Sequence, residues 1–318
     1  MTAIDSIKLS VIIASYNSRR TIEKCLHSLE SQSNQEAFEV IVIDSSNDGT
    51  SHLMAQRFPR VRLFTSSERK FPGDARNIGA SHASGEILAF TDADCFVDRD
   101  WVSQILQAHA GTQHPLIGGV VDNGNPENYI GWAYYFCEFS QWMPQITPCY
   151  MVEIPTTCLS VKRWAFDRYG PFLEKTYCSD TAFNWKLGKE GYNPLFVPSI
   201  RVSHINITSL GDFLRRKVFH GKCFARVRMT EQEFSNLKRL SYLLLCPLLP
   251  FLLLCRIASR VFHRGMYVKP FVLSWPLVFL GLVGWSWGEL RGYLEGPYVR
   301  APHDVKAEHC SPKGLTDG

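Results

Sequence analysis

The chain has 318 residues, of which 45% are hydrophobic and 20% are charged. This length allows a large core with an extension, and the composition excludes an intrinsically disordered protein. The formal net charge of +4 is too small to indicate a nucleic-acid partner, and none is expected. The ten cysteines form no C-x-x-C pair, which argues against a zinc ribbon and favours reduced thiols in the cytoplasm.

Strand and helix signals alternate through the first half of the chain. β-branched and apolar runs predict strands over residues 9–17, 38–44, 61–66 and 87–90. Helical spacing and turn signals predict helices over residues 19–32, 51–58 and 73–84. This βαβαβ order predicts an α/β fold with a doubly wound sheet and polar groups gathered at the carboxyl ends of the parallel strands.

Polar side chains stand at three of those strand ends. Asn17 and Asp44 follow the first two strands, and Asp92 and Asp94 follow the strand that contains Phe90. The first strand-to-helix turn, ASYNSRR, has no glycine, which excludes the phosphate-binding turn of a dinucleotide-dependent dehydrogenase. Two carboxylates one residue apart repel each other unless a cation lies between them. A divalent cation, Mg²⁺ or Mn²⁺, that also binds a phosphate satisfies this requirement.

Five segments together resemble the inverting family 2 glycosyltransferases. They are LSVIIASYNSRRTIEKCLHSL, EVIVIDSSNDGT, GDARNIGASHASGEILAFTDAD, GPFLEKTYCSDTAFNWKLGKEGY and VPSIRVSH, which fall in order within residues 8–205. The resemblance implies a mixed sheet of the GT-A type, a nucleotide-sugar donor, and a glycan or lipid-linked acceptor. It also implies that Asp94 binds the divalent cation directly, while Asp92 reaches the cation or the ribose of the donor.

The resemblance assigns three further residues to the donor. Asp44 is expected to accept a hydrogen bond from the nucleotide base, although an acidic residue at this point can also cap the turn that follows. Tyr16 is expected beside the base, where its ring can stack; the alternative is a core tyrosine. Arg76 is expected to reach the base or the diphosphate, and the alternative is a surface salt bridge.

Asp180 is the expected catalytic base. An inverting transfer needs a carboxylate to remove the proton of the acceptor hydroxyl, which contributes about 10²–10⁴-fold. The family usually has Glu-Asp here, whereas this chain has Ser179 before Asp180, so a neighbouring carboxylate that orients the acceptor is missing. The alternative role of Asp180 is a helix N-cap, because helical periodicity begins immediately after it.

His204 ends another apolar strand, in the segment RVSH. Some relatives of this fold use a histidine here as a metal ligand, and a neutral imidazole suits Mn²⁺ better than Mg²⁺. The alternative is a structural histidine. Trp185, in the helix after Asp180, is expected to pack in the core or to line the acceptor cleft.

The composition changes after residue 207. Residues 209–229 mix six basic residues with apolar ones, which is typical of a helix at an anionic membrane surface; a helix that covers the catalytic domain is the alternative. Residues 242–255 and 271–287 are charge-free apolar runs. The linker between the runs carries four cations and no acid, so a two-span hairpin would oppose the positive-inside tendency. We therefore favour helices in the cytoplasmic leaflet or a re-entrant pair, with a soluble helical lid as the other alternative.

These patterns predict four regions and one location. The regions are a catalytic domain over 1–207, basic interface helices over 208–240, a hydrophobic helical pair over 241–295 and a loose tail over 296–318. The start of the chain lacks the long apolar core of a signal peptide, and we expect the cytoplasmic face of the cell membrane. Other activities remain open, namely transfer to a polyprenyl phosphate, a nucleotidyltransferase, or nucleotide-sugar binding without catalysis.

Overall fold

The structure is a computed structural model that describes residues 7–33, 38–144 and 147–300. The strands are β1 (Leu9–Ser15), β2 (Phe38–Asp44), β3 (Arg62–Thr65), β4 (Ile87–Asp92), β5 (Cys95–Val97), β6 (Leu116–Asn123), β7 (Cys149–Tyr150), β8 (Leu159–Lys162) and β9 (Leu195–His204). The helices are α1 (Ile22–Glu30), α2 (Thr50–Arg57), α3 (Pro72–His82), α4 (Trp101–Ala110), α5 (Tyr129–Phe139), α6 (Arg163–Tyr169), α7 (Ser179–Lys189), α8 (Leu210–Glu231), α9 (Asn236–Leu245), α10 (Leu249–Arg264) and α11 (Val268–Glu295).

One mixed sheet forms the centre of the catalytic region. Its strands follow the order β3-β2-β1-β4-β8-β6-β9-β5, and β7 pairs with β9. The first four are parallel to one another, whereas β8 runs antiparallel to both β4 and β6. The predicted mixed α/β sheet is therefore confirmed. Every predicted element of the first half is present, although β4 continues to Asp92, two residues beyond the predicted end.

The apolar runs form strands because they are buried between helices on the two faces of the sheet. In β1, Val11, Ile12 and Ile13 have no solvent exposure. The predicted helical spacing also places side chains correctly, since α1 buries Ile22, Leu26 and Leu29. Burial of this kind stabilises the fold by about 25 cal/mol for each Å² of apolar surface removed from water. The sheet therefore holds its carboxyl-terminal strand ends in fixed positions.

Helix α11 lies along α8 and then reaches α5. A Cβ atom added to Gly288 would lie 2.1 Å from the Val218 carbonyl oxygen, so these backbones meet at a distance that only glycine permits. Nearer its start, α11 packs the Phe271 ring against Phe136 of α5 at 5.3 Å between centroids. The apolar run that precedes α11 is divided by a 3-10 turn at Cys246–Leu248. The C-terminal helices are therefore packed onto the catalytic region.

The cations of α8 are not arranged as expected for the basic helix at a membrane surface that the sequence predicts over residues 209–229. Lys217 is 1% exposed and pairs with Glu138 of α5 at 2.8 Å. Lys222 pairs with Glu295 at 2.8 Å, and Arg228 pairs with Glu289. The acids that attract them lie on α5 and α11, which the sequence pattern of α8 alone does not reveal. Most of the α8 cations therefore form ion pairs within the protein.

An apolar surface remains on α9, α10 and α11. Two segments, Asn236–Arg264 and Val268–Glu295, are long and apolar enough to cross a membrane, with mean hydropathies of 2.0 and 1.5. Only 17% and 28% of their most apolar windows are buried, unlike the core helices of a soluble protein. The side chains that remain at least 48% exposed include Leu237, Leu240, Leu244, Leu245, Leu248, Phe251, Leu252, Phe262, Val272, Leu273, Trp275 and Trp287.

Candidate active site

A cavity of about 860 Å³ opens at the carboxyl ends of the parallel strands. Of the predicted site residues, Tyr16, Arg76, Asp92, Asp94, Asp180 and His204 all line it, and so does Trp185. The cavity continues along the C-terminal helices, where Leu249, Leu253, Arg256, Ile257, Arg260 and Leu282 line it. Its size suits a ligand as large as a nucleotide sugar.

Asp92 is held in place by a cation and a hydroxyl group. Arg76, on α3, donates to its Oδ1 at 2.5 Å, and the Thr157 hydroxyl donates to its Oδ2 at 2.7 Å. Burial alone would raise the pKa of Asp92, but Arg76 and Thr157 together hold that pKa below its usual value. Arg76 is 5% exposed, so it forms a buried ion pair and not the surface salt bridge considered as an alternative.

Asp94 and His204 face each other across the end of the sheet. The strand pairing of β5 with β9 places Cys95 opposite His204, which brings the imidazole Nε2 to 3.4 Å from Asp94 Oδ1. The Cys95 sulfur also lies within 4.8 Å of these two ligand atoms. Burial and the two nearby aspartates raise the pKa of this thiol well above its usual value. Asp94 and His204 are therefore the better ligands for a hard cation.

A chain of asparagines fixes the tautomer of His204. The backbone N–H of Asn125 donates to Asn123 Oδ1 at 3.1 Å, which determines how that amide is oriented. Asn206 must then turn its Nδ2 to Asn123 Oδ1, at 2.8 Å, and its Oδ1 to His204 Nδ1, at 2.9 Å. Nδ1 consequently carries a proton, so Nε2, which lies on the side of Asp94, is the ring nitrogen that can bind a cation. A cation between these two groups satisfies both, so the residues present fit a divalent metal.

Asp180 lies in the first turn of α7 and lines the same cavity. Its Oδ2 accepts hydrogen bonds from the backbone N–H of Thr156 at 3.2 Å and from the Thr156 hydroxyl at 3.1 Å. The N-cap position of α7 is occupied by Cys178, with φ of 63°, and not by Asp180, whose Oδ1 accepts from the Thr181 backbone N–H of the first turn at 3.0 Å. These contacts fix the carboxylate in one orientation beside the cavity.

Tyr16 also lines the cavity and is 40% exposed. The Arg69 guanidinium lies over its ring at 4.5 Å from the centroid, so Tyr16 is not the core tyrosine considered as an alternative. Asp44 differs from the other predicted residues because it is 1% exposed and does not line the cavity. Its Oδ1 accepts from the hydroxyls of Ser15, at 2.7 Å, and Ser46, at 2.5 Å. Asp44 therefore reaches the cavity through Ser15, which does line it.

Comparison with known proteins identifies the family. Residues 10–165 match the family model described as "Glycosyl transferase family 2". These residues form a family 2 glycosyltransferase domain. The glycosyltransferase AglE of Haloferax volcanii is 26% identical over 281 residues, which cover 84% of this chain and 91% of that protein. The uncharacterized glycosyltransferase YfnE of Bacillus subtilis is 35% identical over 183 residues, which cover 56% of this chain and 45% of that protein. The chain is therefore an enzyme of the glycosyltransferase class.

Solved structures support the fold of this family 2 glycosyltransferase. The mannosyltransferase PcManGT of Pyrobaculum calidifontis, in complex with GDP-Man and Mn²⁺, aligns with a TM-score of 0.60 at 20% identity. That alignment covers 89% of this chain and 87% of the mannosyltransferase. GalNAc-T7 with UDP, GalNAc and Mn²⁺ aligns with a TM-score of 0.53 at 19% identity, over 74% of this chain and 54% of that protein. The chain therefore has the predicted GT-A fold.

Four residues of this family 2 glycosyltransferase were missed by sequence reasoning. Thr156 and Thr157 reach the carboxylates because β8 runs antiparallel to β4, with Leu159 opposite Phe90. The segment before β8 therefore starts beside the end of β4, and only the strand order reveals this. Arg256 and Arg260 belong to α10 and reach the cavity because the C-terminal helices pack onto the catalytic region.

Glu153 is a further carboxylate that the sequence pattern did not predict. It lines the cavity, and its Oε2 is buried without a hydrogen-bond partner among the described residues. Burial and the charge of Asp180 raise its pKa, a hydrogen bond with Thr181 opposes both effects, and the resulting pKa is about 7. The backbone of Ile154 pairs with the Asn184 side chain of α7 at 3.2 and 3.0 Å. A second carboxyl group is thus held near Asp180, although Ser179 supplies none.

Proposed function

We propose that this protein is a metal-dependent, inverting glycosyltransferase that moves a sugar from a nucleoside-diphosphate sugar to a lipid-linked or glycan acceptor. The observation that carries the proposal is the convergence of two groups on one cavity. The Asp94–His204 pair suits a divalent cation, and Asp180 is a fixed carboxylate that can accept a proton. A non-catalytic binding protein has no need of this second group.

The donor is expected to lie between Tyr16 and the metal ligands. Tyr16 offers an exposed ring on which a base can stack, and Arg69 adds a positive charge beside it. Asp94 and His204 would hold Mn²⁺ or Mg²⁺, with Asp92 nearby in its ion pair with Arg76. When bound, the cation offsets the negative charge of the diphosphate and stabilises it as a leaving group.

Asp180 is the proposed base. Its carboxylate takes the proton of the acceptor hydroxyl, and the hydroxyl oxygen forms a bond to the anomeric carbon from the face opposite the diphosphate. The bond between the anomeric carbon and the diphosphate breaks, the electron pair leaves with the nucleoside diphosphate, and the configuration inverts. The hydrogen bonds from Thr156 fix the orientation of the carboxylate, so little reorganisation is needed at the moment of transfer.

The exposed apolar surface of α9, α10 and α11 is proposed to lie in the membrane. A surface of this size is costly in water, and its tryptophans are suited to a bilayer interface. Crossing the bilayer would carry the Lys217–Glu138 and Arg228–Glu289 pairs into hydrocarbon, because α11 lies along α8 and α5. We therefore infer insertion into one leaflet. The cytoplasmic leaflet is favoured because α10 and the start of α11 carry four cations and no acid over residues 251–270.

The proposal is tested by thermal shift with full-length protein in detergent. A panel of nucleotide sugars and nucleoside diphosphates is measured with Mn²⁺ and with a chelator. We expect stabilisation by one donor and its nucleoside diphosphate only when Mn²⁺ is present. Asp94→Asn should lose this response, whereas Asp180→Asn should keep it, because Asp180 faces the acceptor. Equal stabilisation with the chelator, or by nucleoside triphosphates alone, would contradict the proposal.

A further inference from the structure

The inner face of α10 carries two arginines among leucines and isoleucine. Arg256 and Arg260 are one helical turn apart, and Leu249, Leu253 and Ile257 follow the same spacing. All five line the cavity that also contains Asp94 and Asp180. The opposite face of α10 exposes Phe251, Leu252 and Phe262 on the apolar surface. The helix therefore separates the membrane-facing surface from a cavity wall that is both basic and apolar.

These two arginines lack the carboxylates that the neighbouring cations have. Lys217 and Arg228 line the same cavity, but Glu138 and Glu289 neutralise them. Arg260 donates to the Ser140 hydroxyl at 3.1 Å, and no carboxylate within the described ranges pairs with Arg260 or Arg256. Like charges one turn apart on a helix destabilise it. A cation within an apolar, membrane-associated segment is also costly and usually serves a function.

An anionic group that enters the cavity would neutralise both arginines. The guanidinium group forms paired hydrogen bonds with phosphate oxygens, which makes arginine suited to a phosphate ester. The apolar side chains at 249, 253 and 257 would contact a hydrocarbon chain attached to that phosphate. We propose that Arg256 and Arg260 bind the phosphate of an acceptor lipid whose apolar chain lies along α10, an inference that rests on the proposed function.

This assignment distinguishes three sources of phosphate. The diphosphate of the donor is expected at the metal ligands and not at α10. A bilayer phospholipid would contact the outer face, where Phe251 and Leu252 are exposed. An isoprenoid phosphate that carries a sugar combines the required features, namely a phosphate ester, a long apolar chain and a hydroxyl group for the transfer, and it can enter from the leaflet in which the surface lies. The proposed ligand class is therefore a glycosylated isoprenoid phosphate or a similar single-chain glycolipid phosphate, of which an isoprenoid phosphate is the simplest binding probe.

The test uses full-length protein in detergent with two matched probes, geranylgeranyl phosphate and geranylgeraniol. Binding is followed by the tryptophan fluorescence of the cavity, where Trp285 lies. Wild type should bind the phosphate probe at least about tenfold more tightly than the alcohol, which corresponds to about 1.4 kcal/mol. Arg256→Gln/Arg260→Gln should remove this preference and leave alcohol binding unchanged. Arg215→Gln is the control, because Arg215 is exposed, pairs with Asp212, and does not line the cavity.

Three further measurements decide between the sources. Binding to zwitterionic phosphatidylcholine vesicles and Mn²⁺-dependent binding of nucleoside diphosphate should be unchanged in the double variant, and inorganic phosphate should not compete. The proposal is overturned if the double variant keeps the preference. It is also overturned if that variant loses only vesicle binding, loses nucleoside diphosphate binding, or if inorganic phosphate competes equally. Wild type that binds no nucleoside diphosphate with Mn²⁺ would instead contradict the proposed function, whatever the two arginines do.

Discussion

Replacement of Glu153 by glutamine should make the protein more stable at alkaline pH. Burial beside Asp180 raises the pKa of Glu153 from 4.5 to about 7 in the folded protein. The unfolded chain ionises this carboxyl at its ordinary pKa, so between pH 4.5 and 7 folding requires Glu153 to take up a proton. The contribution of Glu153 to the free energy of unfolding is therefore fully present below about pH 4.5, decreases between pH 4.5 and 7, and is lost above pH 7. Glutamine has a similar shape and cannot ionise, so Glu153→Gln should lack this loss.

The magnitude follows from the difference between the two pKa values. A difference of about 2.5 corresponds to about 3 kcal/mol, which is an upper limit for the gain at pH 8. For a chain of this length, that gain corresponds to about 4 °C in the unfolding temperature. The assay is thermal unfolding of wild type and Glu153→Gln in one detergent from pH 5 to pH 8. The two curves should nearly coincide at pH 5 and separate progressively toward pH 8.

The Asp180 charge provides a control for this reasoning. Because that charge contributes to the raised pKa of Glu153, Asp180→Asn should reduce the pH-dependent loss of stability without abolishing it. The account would be refuted if wild type and Glu153→Gln lost stability in parallel between pH 5 and 8. It would equally be refuted if Glu153→Gln were the less stable protein at pH 8.

Three other predictions concern the base, the metal and the membrane. Asp180→Asn should lower turnover by about 10²-fold with donor affinity unchanged, measured by single-turnover kinetics; full activity would indicate that the acceptor phosphate itself is the nucleophile. Asn206→Leu should weaken Mn²⁺ binding about 10–100-fold in calorimetry. Asn206→Asp should weaken it less, because an aspartate can still accept a hydrogen bond from His204 Nδ1. If wild type and both variants bound Mn²⁺ with equal affinity, Asn206 would have no role in the metal site. Leu248→Glu/Phe251→Glu should reduce co-sedimentation with vesicles, while a glutamate added on the exposed side of α2 should not.

The fold could be predicted largely because the first half is a regular α/β unit. Runs of β-branched residues such as Val11–Ile13 cannot stay in water, and the order of strands and helices predicts a parallel start to the sheet. Since parallel strands end at one edge, the proximity of Asp92 to Tyr16 follows from the strand positions alone. The same argument explains why Asp44 was placed at the donor site. In the structure Asp44 is buried and accepts hydrogen bonds from Ser15 and Ser46, and strand positions cannot reveal such side-chain contacts.

The remainder of the site depends on contacts between distant segments. Thr157 and Glu153 lie in an irregular segment whose position is decided by the antiparallel pairing of β8 with β4. The inward direction of Lys217 depends on Glu138, which lies 79 residues away. The predicted domain boundaries stay predictions, and the predicted tail beyond residue 300 lies outside the described residues.

The proposed reaction transfers a sugar, releases a nucleoside diphosphate and depends on a cation held by Asp94. The most direct measurement incubates full-length protein with the donor found by thermal shift, a membrane lipid extract and Mn²⁺, and quantifies the released nucleotide. We expect nucleoside diphosphate in amounts equal to the sugar transferred, and we expect this release to be lost on chelation and in Asp94→Asn. Pyrophosphate as the product, or equal release by Asp94→Asn with the same Mn²⁺ dependence, would contradict the proposed reaction.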